Sequence, residues 1–188
     1  MQPVPTCKVP ILLIRLCVML PCALIAVRAQ GPPNRPRITG IDHVTIYVSD
    51  LAKSRNFYAG ILGLNSRCPR FVGPESCFLV GPANQRVLLK SAKSGSVKNW
   101  LAEIAFATDD VEQMRGFLVA HGFSPGVLGK ASDGARSFQV RDPEGNQIAF
   151  AQRSAVTVEY EPAPKQISTH LIHAGFVVKD LVAENRFY

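Results

Sequence analysis

Three stretches of this chain repeat one pattern of apolar and polar positions. They read "IDHVTIYVSDLAKSRNFY" (41–58), "LAEIAFATDDVEQMRGFL" (101–118) and "LIHAGFVVKDLVAENRFY" (171–188). Each opens on an alternating or continuous apolar run, which predicts a β-strand. Each then passes through an aspartate (Asp50, Asp110 or Asp180) placed to cap a helix by accepting hydrogen bonds from its free N–H groups. In the middle copy Asp109 and Glu112 also fit a capping box. Apolar residues then recur at helical spacing: Leu51, Phe57, Tyr58 and Ile61 in the first copy, Val111, Met114, Phe117 and Leu118 in the second. These are the expected buried stripes, and Gly63 and Gly122 are the expected helix stops.

The segments behind the helices correspond as well. "NSRCPRFV", "SCFLVG" and "QRVLLK" follow the first, and "SPGVLG", "RSFQVRD" and "NQIAFAQ" follow the second. All are short strand-like runs separated by Gly, Pro and Asn turn signals. The predicted unit is strand–helix–strand–strand–strand, used twice between Thr39 and Arg153, and the fold class is α+β. Residues 39–153 are thus one module of ordinary domain size. A polar linker with two prolines is expected over 154–168. Residues 169–188 open a second module, incomplete in this sequence, which reads as a fragment of a longer two-module chain. The alternative is a short tail that pairs with another subunit.

The other end of the chain has a different character. Lys8 and Arg15 lead into "LCVMLPCALIAV", and Val27 and Ala29 are small residues ahead of a cut before Gln30. Residues 1–29 therefore predict a secretory signal peptide and a secreted or periplasmic protein. The run is short for a membrane span and is broken by Pro21, so a membrane contact is expected only through an uncleaved signal segment. Residues 30–38 form a short spacer. Loss of Lys8, Arg15 and Arg28 with the leader takes the formal charge from +7 to +4. The remaining cations are scattered among acids, with no basic stripe interleaved with aromatics, which argues against a nucleic-acid partner. Cys7, Cys17 and Cys22 also leave with the leader, so Cys68 and Cys77 remain for an oxidising compartment. A hairpin turning near Val72-Gly73 would set them opposite each other as a cross-strand disulfide; the alternative is two buried thiols.

"DHVTIYVSDLAKSRNFYAGILGL", "AEIAFATDDVE" and "RDPEGNQIAFAQ" resemble the vicinal oxygen chelate superfamily, which includes glyoxalase I, extradiol dioxygenases, fosfomycin-resistance enzymes and bleomycin-binding proteins. The likeness covers nearly all of 39–153. It implies paired βαβββ units curled into a cup-shaped mixed sheet with helices outside. It also implies metal ligands on the first strand of each unit and on the closing strand. Histidine nitrogen with carboxylate oxygen suits a divalent ion such as Zn, Fe, Mn or Ni. Open positions on that ion would take two adjacent substrate oxygens and stabilise an enolate or activate dioxygen. Carried onto this chain, the first-strand ligand is His43 and the middle one, usually His, is Glu103. The closing ligand, usually Glu, falls on Ala149, which cannot ligate, and Leu88 and Leu89 are equally inert. His173 is the first-strand candidate of the incomplete module, with His170 incidental near the strand entrance. A catalytic zinc normally has three protein ligands, and this module offers two.

Two functions follow. One is an exported metal-dependent lyase, isomerase or dioxygenase whose first module is degenerate and whose chemistry sits mainly in the second. The other is a metal-free module that binds a small molecule in the cup, where His43 and Glu103 pair as a charge-assisted hydrogen bond. In either case the expected partner is a small-molecule ligand or substrate, and subunit pairing into a homodimer is open. His121 is expected to serve the end of the second helix, Arg141 and Asp142 the "DPEGN" turn, and Trp100 and Phe106 the core or a pocket wall.

Overall fold

The computed structural model describes residues 34–66, 68, 76–82, 84–92, 99–130, 134–153 and 160–188. The expected signal peptide and the expected turn at 72–73 lie outside them. The first unit contains β1 (Ile38–Val48), α1 (Leu51–Arg55), one π-helical stretch (Asn56–Ile61), β2 (Ser76–Leu79) and β3 (Arg86–Ser91). The second contains β4 (Leu101–Thr108), α2 (Val111–Ala120), β5 (Gly129–Lys130), β6 (Arg136–Arg141) and β7 (Gln147–Gln152), and α3 (Leu181–Phe187) follows. The aspartates cap as expected: Asp50 accepts from the Lys53 N–H at 3.0 Å, Asp110 from Gln113 at 2.9 Å, and Asp180 from Val182 and Ala183, both at 3.0 Å. The expected capping box at Asp109 does not form. Asp109 instead takes the Arg37 Nε–H at 2.8 Å, and Glu112 faces Arg136 across to β6.

The seven strands make one curled mixed sheet in the order β2-β3-β1-β4-β7-β6-β5. In each half the opening strand runs parallel to the closing one, β1 to β3 and β4 to β7. The halves meet where β1 pairs antiparallel with β4. Register then sorts the side chains. Val44, Ile104, Ile148 and Val140 form one row across the sheet, and Phe106, Phe150 and Phe138 another. With Val87 and Leu89 they are clustered with Val111, Met114 and Leu118 of α2 in the core. Alternate residues point to the other face, because side chains along a strand alternate. There His43, Ala105, Ala149 and Gln139 form one row, and Thr45, Glu103, Gln147 and Arg141 the next.

Two local departures from the sequence pattern, at the first helix and at 171–178, have physical causes. Leu51 and Tyr58 pack against the core, but Phe57 and Ile61 are 49% and 70% exposed. The wider π turn carries them off the stripe that an α-helix would present. Of the first strand expected after each helix, the described residues contain a single bridge, Asn65 to Leu79, in one unit, where most of the expected run lies outside them, and the two residues of β5 in the other. The strand expected within 171–178 does not form. Its backbone finds a side chain instead of a neighbouring strand: the Leu171 N–H donates to Gln85 Oε1 at 2.8 Å, and its carbonyl accepts from Gln85 Nε2 at 2.9 Å.

The described part of the segment expected to be a linker, residues 160–168, lies against the module. Gln166 Nε2 donates to the Val80 carbonyl at 2.6 Å and the Ile167 N–H to that of Leu62 at 3.1 Å. A Cβ on Gly63 would collide with Lys165, and one on Gly81 with the Thr169 carbonyl. Further on, Glu144 Oε1 of the "DPEGN" turn accepts the Lys179 and Asp180 N–H groups at the start of α3. Glu184 on α3 accepts the Glu144 N–H at 3.1 Å in return, and Phe187 meets Phe123 edge-on at 5.1 Å. Cys68 and Cys77 are joined by a disulfide, with their Cα atoms 5.8 Å apart.

Candidate functional site

The junction of the two halves brings together the residues that the repeat sets in register. His43 on β1 and Glu103 on β4 sit on the same sheet face, with Nε2 and Oε1 3.0 Å apart. A register shift between Ile41 and His43 breaks the usual alternation. Asp42 thereby lies beside its own neighbour, with Oδ2 2.7 Å from His43 Nδ1. Asp42 is fully buried and also accepts from Arg86 NH2 and Arg153 Nε, both at 2.6 Å. The second oxygen of Glu103 accepts from Gln139 Nε2 at 2.6 Å and Gln147 Nε2 at 2.8 Å.

The electrostatics follow from that wiring. Burial alone would raise the Asp42 carboxyl, but its bond to His43 and the charges of Arg86, His43 and Arg153 outweigh burial and hold it well below the usual carboxylate range. Burial likewise works against Glu103 ionising. The His43 and Gln147 bonds, the imidazole charge and the Gln139 bond overcome it, and the carboxyl is lowered. Burial depresses His43, but hydrogen bonds to Asp42 and Glu103 together with the Asp42 charge prevail over burial and the Arg86 charge, so its pKa is raised from 6.5. An ionised carboxylate only accepts, so a ring held between two of them donates from both nitrogens as imidazolium.

That state bears on metal binding. An imidazolium has no lone pair for a cation. Ala149, buried in β7 beside Ala105, brings a methyl group where a third ligand would stand. His173 is exposed on the 171–178 segment, outside this network. Among the described residues no three His, Cys, Asp or Glu side chains converge as a metal centre requires. The donor set present does not fit a catalytic divalent ion. The arrangement presents instead a fixed charge pattern on an alanine-floored wall. One of its donors, Arg86 Nε, is buried without a partner among the described residues.

The remaining candidates fall elsewhere. His121 ends α2 and donates from Nδ1 to the Phe117 carbonyl at 2.8 Å. Arg141 donates to the Gly145 carbonyl at 2.7 Å, as a turn residue does. Trp100 is 55% exposed and so lies outside the core, whereas Phe106 packs against Phe150 on the helix side of the sheet. Sequence reasoning missed Asp42, Arg86, Arg153, Gln139 and Gln147. Gln147 was accessible, since it lies two residues before Ala149 and so shares its face. Asp42 was not, because only the bulge turns it toward His43.

Residues 40–150 match the family model of the Glyoxalase/Bleomycin resistance protein/Dioxygenase superfamily. Among solved structures, a methylmalonyl-CoA epimerase from Mycobacterium tuberculosis aligns at 20% identity and a TM-score of 0.52, covering 62% of this chain and 89% of the epimerase. A Streptomyces coelicolor methylmalonyl-CoA epimerase in complex with 2-nitronate-propionyl-CoA aligns at 20% identity and a TM-score of 0.51, covering 63% of this chain and all of the other. A homoprotocatechuate 2,3-dioxygenase from B. fuscum aligns at 21% identity and a TM-score of 0.52, covering 71% of this chain but 36% of the dioxygenase. At such identities the likeness is one of fold. No curated protein matches the sequence.

Proposed function

Because the chain belongs to the Glyoxalase/Bleomycin resistance protein/Dioxygenase superfamily, we propose that its 39–153 module is a metal-free cup that binds an oxygen-bearing small molecule. The observation that carries this reading is His43 held between Asp42 and Glu103, with both ring nitrogens committed. A ring in that state neither ligates a cation nor accepts a proton. It fixes the charge and position of Glu103, which in turn orients Gln139 and Gln147. The ion-paired network sets the cations Arg86, His43 and Arg153 against the anions Asp42 and Glu103, an excess of one positive charge. That balance and the unanswered Arg86 Nε favour a ligand with carboxylate or enolate-like oxygens. The epimerase neighbour bound to 2-nitronate-propionyl-CoA gives an example of this fold receiving such a group.

Export belongs to the same proposal. The leader pattern over 1–29 and the Cys68–Cys77 disulfide both favour an oxidising compartment. A second reading places metal-dependent lyase, isomerase or dioxygenase chemistry in a further module. It is favoured by the third Asp-capped helix, α3, which repeats the opening of each unit.

Elemental analysis of the purified protein tests the binding reading. The binding reading expects no stoichiometric Zn, Fe, Mn or Ni. Bound metal near one equivalent that vanishes in His43→Ala would refute it.

A further inference from the structure

The sheet face opposite the cup holds a cavity of about 400 Å³. Its floor is Phe106 of β4 and Phe150 of β7, with Phe117 of α2 along one wall. Phe123 and Phe187, in edge-on contact, close it on the side of α3. The volume falls within the roughly 300–1,000 Å³ of small-molecule sites, which are typically apolar with a few placed polar groups. Apart from His121, whose Nδ1 is taken up by the Phe117 carbonyl, and the Tyr188 hydroxyl, the polar groups here have one sign. Arg35 and Arg186 both line the cavity, both are exposed, and neither has a carboxylate partner among the described residues. The Tyr188 hydroxyl on the same rim is turned away, donating to Asp142 Oδ2 at 3.3 Å.

From this we infer a second ligand site, between the helix side of the sheet and α3, for an amphipathic carboxylate. Its aliphatic body lies among the phenylalanines and its head group between Arg35 and Arg186. The apolar walls reward a hydrocarbon body in proportion to the area it removes from water. The two guanidiniums present planar, multiply donating groups that match a carboxylate. The site shares no residue with the cup, so it stands or falls independently of the reading given for His43 and Glu103. Because α3 forms one wall, occupancy would also hold the 160–188 segment against the module.

Decanoate and its uncharged twin decanol test this on the intact protein, by calorimetry and by NMR of the phenylalanine rings. Decanoate should bind at a single saturable site and shift the Phe123 and Phe187 ring signals. Reversing both exposed cations, Arg35→Glu with Arg186→Glu, should weaken decanoate about tenfold, as expected for two modest exposed ion pairs. Decanol should bind the wild type and the double variant alike. Absence of saturable decanoate binding would overturn the inference. So would unchanged decanoate affinity in the double variant, or signal shifts confined to the cup.

Discussion

Asp42 is the residue on which the site turns. It is buried, and it accepts hydrogen bonds from one imidazole and two guanidiniums. Removing one partner of a buried ionic cluster leaves the others uncompensated, at about 3–5 kcal/mol. Asp42→Asn should therefore lower the unfolding free energy by that order in urea titrations; a loss under about 1 kcal/mol would show that the cluster is not coupled in this way. The pH dependence has a defined sign. The folded pKa of His43 is raised above 6.5, so its stabilisation is complete below that value and fades as pH climbs through the raised pKa. Asp42 and Glu103 are lowered, so their contribution fades as pH falls through their depressed values. The stability difference between wild type and His43→Gln should be largest in the mildly acidic window between these limits and shrink toward alkaline pH. A difference that grows with pH would contradict the assignment. The pairing of His43 with Glu103 was legible in the sequence, since aligned copies of one unit place equivalent residues at the pseudo-symmetric junction. The reach of Arg86 and Arg153 to Asp42 was not, because contacts between residues 44 and 111 positions apart depend on the curl of the sheet and on the bulge.

At the scale of elements, the Asp-capped helices could be read from spacing alone, since capping is local chemistry. The 171–178 strand could not, because a strand needs an edge to pair with, and here the Gln85 side chain satisfies the Leu171 backbone. The docking of 160–188 rests partly on glycines that leave room for it. Gly81→Ala should drive the Thr169 carbonyl away while sparing the sheet. Hydrogen exchange should then show α3 amides losing protection while β1, β4 and β7 amides keep theirs. Equal protection of α3 in both proteins would mean that the close approach at Gly81 does not hold the segment. The disulfide closes a short loop, with a sequence separation of 9. A loop of that length restricts the unfolded chain by roughly 2–3 kcal/mol. Replacing Cys68 and Cys77 together by serine should cost about that much in chemical unfolding, and a neutral replacement would remove the bridge from the stability account.

For the molecule as a whole, two strand–helix units fused edge to edge give one sheet with an apolar, helix-covered face and a polar face floored by Ala105 and Ala149. That division was readable because alternation along each strand decides which residues share a face. What the polar face holds was not readable, since His43 and Glu103 suit a metal centre and an ion pair equally until the neighbours of both are known. Among the described residues no helix is long and apolar enough to cross a membrane. The metal-free cup makes its most direct commitment at one ring. Nitrogen NMR of His43 at neutral pH, before and after one equivalent of zinc, reads it. A ring held between Asp42 and Glu103 should show two protonated nitrogens whose signals zinc leaves in place. A neutral ring whose Nε2 signal moves when zinc is added would contradict the metal-free cup.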